Sequence, residues 1–424
     1  MNDKVKRTRL HGWHVEKGAN MAAFGDYEMP LWYPSGVKNE HLCVLKTAGI
    51  FDTSHMSVVP VGGPGAFDLL QECFSKDLAA CIGKDHKPLS PGQSVYGVFL
   101  NPDGHVIDDA IVFQIDSGEY IVVVNAGMGA PIAEHLRGHT GGRVVDIVDR
   151  SDDLGKFDVQ GPAALRILNR VLKDPAKVFD RLPYFSFKGH FDPRSSHAEA
   201  VRLLDGTPIL LSRTGYTGEF GFEIFVEPDA FIKTWNTVMD AGNPMGVLPC
   251  GLAARDSLRA GAVLPLSHQD IGAWPFVNNP WPFALPYDSD GSGFTKRFIG
   301  DEALLSGRHA EHTLPFAGYD LRKVAVEESG AVLDPAGEKL GRVLTCTTDM
   351  AIGRLEDRIV SINSPDIPED FKPRGLCCGF VKIDRPLDTG HQIILKDKRR
   401  EIKVEIVNDI RPHRSARKPL SHFL

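Results

Sequence analysis

The length, composition and charge of the chain exclude several classes of protein. Its 424 residues exceed one ordinary hydrophobic core, so we expect two or three domains. A hydrophobic content of 42% with 24% charged residues is typical of a soluble globular protein. The formal net charge of −7 gives no general attraction for nucleic acid or for an anionic membrane. The beginning of the chain lacks an apolar signal segment and no stretch has membrane-spanning length, which predicts a cytoplasmic location.

The cysteine pattern argues against a metal centre. The chain has seven scattered cysteines, none of them in a C-x-x-C pair. Zinc sites and disulfide frameworks use closely spaced cysteines. We therefore predict neither a metal nor a disulfide framework.

A short sequence pattern occurs twice in the first half of the chain. Val61-Gly-Gly-Pro and Val159-Gln-Gly-Pro each read as the end of a strand followed by a helix, with proline suited to the first helical turn. This repeat predicts two related α+β units. The alternative is that the two segments are alike by coincidence, because such strand-to-helix connections are common.

Two adjacent aspartates follow the turn that begins at Asn101. Asp108 and Asp109 lie between apolar residues on a predicted strand, where neighbours point to opposite faces. At most one of them is therefore expected to face a given cleft. The alternative is that both are exposed near the end of a hairpin.

A glycine-rich turn leads into a second unusual strand, Phe222-Glu-Ile-Phe-Val. Both of its faces are mostly apolar, which predicts a strand covered on two sides and a buried Glu223. A buried carboxylate is costly unless donors meet it, so we expect a partner with N–H groups, such as the edge of a pterin or guanine. The alternatives are a solvent-facing glutamate or one paired with a nearby arginine.

A helix predicted to start near Gly251 carries Arg255 and Arg259 on one face. An anion or Asp256 between them would relieve their repulsion, and a solvated basic face is the default. Farther on, a proline-rich loop runs from Pro275 to Gly293, and short strand-like runs from about Leu314 predict an all-β module.

Taken in order, these motifs resemble the glycine-cleavage T-protein family, the tetrahydrofolate-dependent aminomethyltransferases. The resemblance is nearly continuous from about residue 10 to 305. It is carried by Phe24-Gly-Asp-Tyr-Glu-Met-Pro-Leu-Trp-Tyr, Ala48-Gly-Ile-Phe-Asp-Thr-Ser-His-Met, the segment from Tyr96 to Val112, Val123-Val-Asn-Ala, Val159-Gln-Gly-Pro, the segment from Arg213 to Ile224, Gly251-Leu-Ala-Ala-Arg-Asp-Ser-Leu-Arg and Phe298-Ile-Gly-Asp-Glu-Ala-Leu.

The resemblance implies an α+β fold of three domains around a central folate-binding opening. We expect two related and intertwined α+β units at residues 1–150 and 151–305 and a β-barrel at 314–424. On this mapping Asp108 is the essential catalytic aspartate, and Asp109 is its structural neighbour. The implied tetrahydrofolate-binding residues are Glu223 on the pterin, Arg255 and, with less direct motif support, Tyr96, Met56, Val124 and Tyr216.

The implied function is aminomethyl transfer from a lipoylated H-protein, giving methylene-tetrahydrofolate and ammonia without a metal. Two alternatives stay open: a tetrahydrofolate-dependent demethylase of a small S-, O- or N-methyl compound, and a non-catalytic folate-binding protein. The demethylase is favoured by departures from the family pattern at 270–297 and 344–351, where a donor would approach. Retention of Asp108 argues against the non-catalytic protein.

The carboxyl-terminal tail suggests where an acidic carrier would dock. Arg411, Arg414, Arg417 and Lys418 place four positive charges close together. The alternative is a solvated terminus that touches nothing.

Overall fold

The computed structural model describes residues 5–307, 309–326, 330–365 and 367–424. Within these ranges, no helix combines the length and the apolar character needed to cross a membrane. The chain begins with a small three-stranded sheet in the order β1-β3-β2 and then continues into a helix and one strand of a larger sheet. These elements are β1 (Lys6–Arg7), α1 (His11–Glu16), β2 (Asn20–Phe24), β3 (Tyr27–Trp32), α2 (Val37–Lys46) and β4 (Gly49–Asp52).

The first large sheet has five strands in the order β6-β7-β8-β5-β9. Alternation along β7 sends Ala110 and Val112 into a core under two helices, while Phe113 and Ile115 pack on the opposite face. Both faces are therefore covered. The elements are β5 (Ser57–Gly62), α3 (Ala66–Cys73), β6 (Gln93–Leu100), β7 (Val106–Asp116), β8 (Glu119–Val124), α4 (Gly129–Gly138) and β9 (Asp146–Ile147).

The second large sheet has six strands in the order β11-β12-β13-β10-β4-β14. Strand β4 precedes the whole first sheet in sequence, so the two α+β units are interleaved. The unit boundary at residue 150 stays a prediction. The remaining elements are β10 (Gly155–Gln160), α5 (Ala164–Asn169), α6 (Pro175–Phe179), β11 (Phe187–Gly189), β12 (Leu210–Ser212), β13 (Gly221–Val226), α7 (Phe231–Gly242), β14 (Leu248–Pro249), α8 (Leu252–Gly261) and α9 (Asp301–Leu305).

The two repeated Gly-Pro segments form the same local structure in both units. Strand β5 leads into α3, and β10 leads into α5. At the second turn Gly161 has φ of +131°, and a Cβ there would lie 2.5 Å from the carbonyl oxygen of Val44. A residue with a side chain would therefore push α2 away from this turn.

The carboxyl-terminal module is a closed barrel in the order β15-β20-β17-β16-β21-β22, with a separate hairpin, β18-β19. Phe316, Val381, Leu395 and Val404 are among the residues that fill its core. The predicted fold class, α+β with a carboxyl-terminal barrel, is confirmed. The strands are β15 (His312–Gly318), β16 (Ala331–Leu333), β17 (Lys339–Asp349), β18 (Ile352–Leu355), β19 (Arg358–Ser361), β20 (Leu376–Ile383), β21 (Gln392–Lys396) and β22 (Glu401–Ile406).

Candidate active site

Asp108 lies where the pairing of β6 with β7 is irregular. Phe99 pairs with Asp108 but Leu100 pairs with Val106, so β7 carries one extra residue here. Such bulges redirect side chains. The Asp108 side chain is wholly buried, and its Oδ1 accepts a hydrogen bond of 2.6 Å from the hydroxyl of Ser267.

Asn125 binds both aspartates. Its backbone N–H donates to Oδ2 of Asp108 at 2.9 Å, and its side-chain amide donates to Oδ1 of Asp108 at 2.7 Å and to Oδ1 of Asp109 at 2.6 Å. Tyr96 donates its hydroxyl to Oδ2 of Asp109 at 2.9 Å. The expectation that the two neighbours serve separate faces is therefore incomplete, because one amide just beyond the end of β8 reaches both. We call Asp108 and Asp109 the carboxylate pair.

The carboxylate pair receives hydrogen bonds from hydroxyl and amide groups, which carry no charge. Burial raises the pKa of Asp108 above its ordinary value. Burial also raises the pKa of Asp109, and the charge of Asp108 raises it further. Asp109 is partly exposed whereas Asp108 is not. The pair therefore binds protons more tightly than free carboxylates do, and one member is partly exposed.

A second polar group lies on the facing surface of β10 and β13. Asp158 and Glu223 stand opposite each other in the antiparallel register. Lys156 Nζ lies 3.1 Å from Asp158 Oδ1 and 3.1 Å from Glu223 Oε1, and Arg255 Nη1 lies 2.7 Å from Asp158 Oδ2. The hydroxyl of Thr214 donates to Glu223 Oε2 at 2.7 Å. We call Lys156, Asp158, Glu223 and Arg255 the ion cluster.

The ion cluster refines two predictions from the sequence. Glu223 is buried, as expected, but the protein itself supplies the donors, so burial alone does not require a ligand. The expected solvated arginine face is wrong. Arg259 is wholly buried and bonds to Asp256 and Asp270, because α8 packs against the barrel.

The remaining predicted folate-binding residues lie in different environments. The guanidinium of Arg255 is centred 4.9 Å from the ring of Tyr216. Burial raises the pKa of Tyr216, and its hydroxyl donates to the carbonyl oxygen of Pro265. Met56 is half-buried and packs against the apolar layer on the Phe113 face of the first sheet.

Val124 is placed differently from the prediction. It is wholly buried in the core beneath α3 and α4, so its side chain has no surface to offer a ligand. Its neighbour Asn125 supplies the polar contacts instead. Sequence reasoning missed Asn125, although it follows directly on the apolar strand β8. It also missed Lys156 and Asp158, whose period-two spacing on β10 puts them on one face, and Ser267, for which the loop sequence gives no local signal.

The basic tail is largely packed onto the protein. Arg411 is wholly buried and bonds to Glu219 at 3.2 Å and to Asp349 at 2.5 Å. Arg213 binds the tail backbone at the carbonyl oxygens of residues 416 and 418. Arg411 is therefore unavailable for docking, because two carboxylates already neutralise it in the interior.

Comparisons with known proteins agree with this architecture. The family model described as GCVT N-terminal domain matches residues 10–274. An aminomethyltransferase of Symbiobacterium thermophilum is 34% identical over 354 residues, which cover 81% of this chain and 86% of the relative. An aminomethyltransferase of Halothermothrix orenii is 29% identical over 408 residues, which cover 95% of this chain and 99% of the relative.

A solved structure has the same fold. The crystal structure of the glycine cleavage system aminomethyltransferase T from Bartonella henselae superposes with a TM-score of 0.72 at 24% identity, covering 95% of this chain and 96% of that one. The fold and the matching family model define a transferase with a GCVT domain. The chain belongs to the glycine-cleavage T-protein family. The predicted family and the predicted enzyme class, an aminomethyltransferase, are both confirmed by these relatives.

Proposed function

We propose that the protein transfers an aminomethyl carbon from a lipoylated H-protein to tetrahydrofolate, giving methylene-tetrahydrofolate and ammonia. The supporting observation is the carboxylate pair bridged by Asn125. One buried and one half-buried acid accept hydrogen bonds from the same amide, and His268 Nε2 lies 3.8 Å from Asp108 Oδ1, so the fold sets the charge and proton content of the site.

Within the proposal the two aspartates have different roles. Asp108 accepts three hydrogen bonds and Asp109 accepts two, so the ionised form is stabilised more at Asp108. Asp108 is the proposed catalytic residue, holding negative charge near the positive charge that develops as ammonia leaves. Asp109 keeps the proton longer, because ionising it beside Asp108 brings two like charges together. Tyr96 fixes its orientation.

The chemistry of the ion cluster suits a folate. Each oxygen of Glu223 accepts one hydrogen bond, and a carboxylate has about four lone-pair positions, so acceptor capacity remains for the N–H edge of a pterin. Arg255 uses one of its N–H groups on Asp158 and keeps others for a folate oxygen. We propose that Glu223 holds the pterin, that Arg255, Tyr216, Tyr96 and Met56 line the site, and that Val124 acts only by positioning Asn125.

A second candidate function follows from the loop after α8. Ser267 in this loop donates directly to Asp108, and the ring of Phe283 lies 5.8 Å from the ring of Tyr96. The loop therefore covers part of the carboxylate pair. This enclosure favours demethylation of a small S-, O- or N-methyl compound as the alternative.

A one-carbon transfer assay distinguishes the two functions. Purified protein and tetrahydrofolate are incubated with lipoylated, aminomethyl-loaded H-protein or with a panel of methylated small molecules, and folate products and ammonia are quantified. We expect equal amounts of methylene-tetrahydrofolate and ammonia with H-protein, and loss of both in Asp108→Asn. Inactivity with H-protein together with turnover of a small methyl compound would replace the proposal with the demethylase.

A further inference from the structure

The fold brings together a possible metal-binding group that the cysteine spacing does not reveal. Cys73 is the last residue of α3, His135 lies on α4 and His139 follows the last residue of α4 directly. One potential ligand atom from each lies within 4.8 Å of the other two. We call these residues the cysteine–histidine cluster. It lies on the helix-covered face of the first sheet, because Cys73 packs in the core under those helices.

The two histidines are arranged as a chelating pair. They are separated by one helical turn, the H-x3-H spacing found in zinc sites, and their ring centroids are 4.8 Å apart. His139 Nδ1 donates to the carbonyl oxygen of His135 at 2.8 Å, which leaves the lone pair on Nε2. Metal-binding histidines commonly donate the second nitrogen in this way, since the bond fixes the tautomer and the ring orientation.

One ring nitrogen of His135 is buried without a hydrogen-bond partner in the described part of the chain, which points to the same site. Its Nε2 is inaccessible to solvent and has no hydrogen-bond partner among the residues that the structure describes. Buried polar atoms are usually satisfied, so each exception needs an explanation. A metal ion bound at Nε2 would give this atom the partner that it lacks.

Nearby charges are already committed to other partners. Arg143 bonds to Glu72 at 2.6 Å and to the carbonyl oxygen of His139 at 2.9 Å. Lys296 donates to the carbonyl oxygen of Phe74 at 2.6 Å. Neither side chain donates a hydrogen bond to Cys73, His135 or His139 side-chain atoms among the described residues. A divalent cation would gain the thiolate of Cys73 as its one anionic ligand.

We propose that Cys73, His135 and His139 bind one Zn²⁺, which fixes the end of α3 to α4. One sulfur and two imidazole nitrogens are a ligand set that zinc accepts, and water supplies the fourth position beside the half-buried histidines. On binding, the thiol of Cys73 gives its proton to solvent as the zinc–sulfur bond forms. The complex carries a net charge of +1, the sum of the cation and one thiolate.

Zinc titration of the metal-stripped full-length protein tests the site. In competition with a chromophoric chelator, we expect one zinc per chain and one released proton. His135→Ala and His139→Ala should weaken binding at least about tenfold. Cys81→Ser is the matched control, because this half-buried cysteine lies outside the cluster and should leave affinity unchanged. Unchanged affinity in both histidine variants, or no stoichiometric binding by the unaltered protein, would overturn the proposal.

Two further readouts separate the site from a folding defect. Cobalt substitution should give a thiolate-to-metal charge-transfer band in the unaltered protein and in Cys81→Ser, and no such band in Cys73→Ser. Zinc should raise the thermal midpoint of the unaltered protein but not that of His139→Ala, whose half-buried side chain can be removed without opening the core. A charge-transfer band that persists in Cys73→Ser would show that another cysteine binds the metal.

Discussion

Two sites with buried aspartates shift the pKa of their carboxyl groups in opposite directions. In the carboxylate pair, uncharged groups donate the hydrogen bonds, and burial raises the pKa of Asp108 and Asp109. At Asp349, burial acts in the same direction, but Arg411 and His41 outweigh it and hold the pKa of that carboxyl well below its usual range. Asp108 and Asp349 are both wholly buried. The charge of the neighbours therefore decides whether a buried carboxyl stays a structural anion or becomes a group that exchanges protons.

The location of the second region explains its different role. His41 on α2 bonds to Asp349 at 2.9 Å and to the hydroxyl of Ser257 on α8 at 2.7 Å. Asp349 ends β17 of the barrel, and Arg411 follows the last barrel strand. We call Asp349, His41 and Arg411 the buried tie, because they join the α+β units to the barrel.

The largest expected effect comes from breaking the buried tie. Arg411→Met should lower the free energy of unfolding by about 3–5 kcal/mol, because Asp349 and Glu219 would keep buried charges without their shared partner. Urea denaturation measures the loss. Arg414→Met is the control, since Arg414 pairs with Asp409 nearer the surface and its loss should cost less than about 1 kcal/mol. Equal small losses would mean that Arg411 is not structural.

The next effect concerns catalysis. Asp108→Asn should keep the fold while turnover falls about a hundredfold or more, as expected for a group that stabilises developing charge. Asp109→Asn should cost far less, because the new amide oxygen still accepts from Asn125 and its NH2 group can donate to the hydroxyl oxygen of Tyr96. Steady-state rates with circular dichroism as the folding control measure both. Equal losses would show that the carboxylate pair does not divide its roles as proposed.

Glu223→Ala should weaken tetrahydrofolate binding by about 2 kcal/mol, the lower end of the range for removing one member of a buried charged pair. The lower end applies because Lys156 keeps Asp158 as a partner. Isothermal calorimetry measures the affinity. Glu227→Ala, just beyond the end of β13, is the matched control and should bind normally. Normal binding by Glu223→Ala would remove the pterin assignment.

The smallest effect is a pH dependence of stability. Because the folded protein raises the pKa of both aspartates above their ordinary value of 3.8, it binds more protons than the unfolded chain across that interval. Their contribution to stability is present below that value and is lost as pH rises through the raised pKa. Asp109→Asn cannot ionise at this position, so its stability relative to the unaltered protein should increase as pH rises through the raised pKa. Urea denaturation at acidic and mildly alkaline pH tests this. A constant difference would contradict the raised pKa.

The polar sites also show which structural features could be predicted from the sequence and which could not. Burial of Glu223 was predictable because its strand neighbours are apolar on both faces. Its partner Lys156 was not, since that lysine lies on another strand and only the register of β10 with β13 brings them together. Ser267 reaches Asp108 from a loop far along the chain for the same reason. Local pattern predicts which residues are buried, whereas tertiary pairing decides what they meet.

The carboxyl-terminal tail is a second case in which the local sequence does not predict the partners of a residue. Four positive residues near the terminus favour a solvated or docking segment when each is considered alone. Arg411 is nevertheless buried, because the closed barrel returns the chain beside α8, where Asp349 and Glu219 accept its N–H groups. Charge counting fails for residues whose partners come from other domains.

The position of β4 has a consequence for synthesis on the ribosome. In the finished protein β4 lies between β10 and β14, both of which emerge after the entire first sheet. About 100 residues separate β4 from β10, so at about 5–20 residues per second β4 waits for its first neighbour for roughly 5–20 s. During that interval both edges of β4, whose four residues are all buried in the finished protein, are open to other nascent chains. The interleaving that joins the two units thus makes the elongation rate part of the folding pathway.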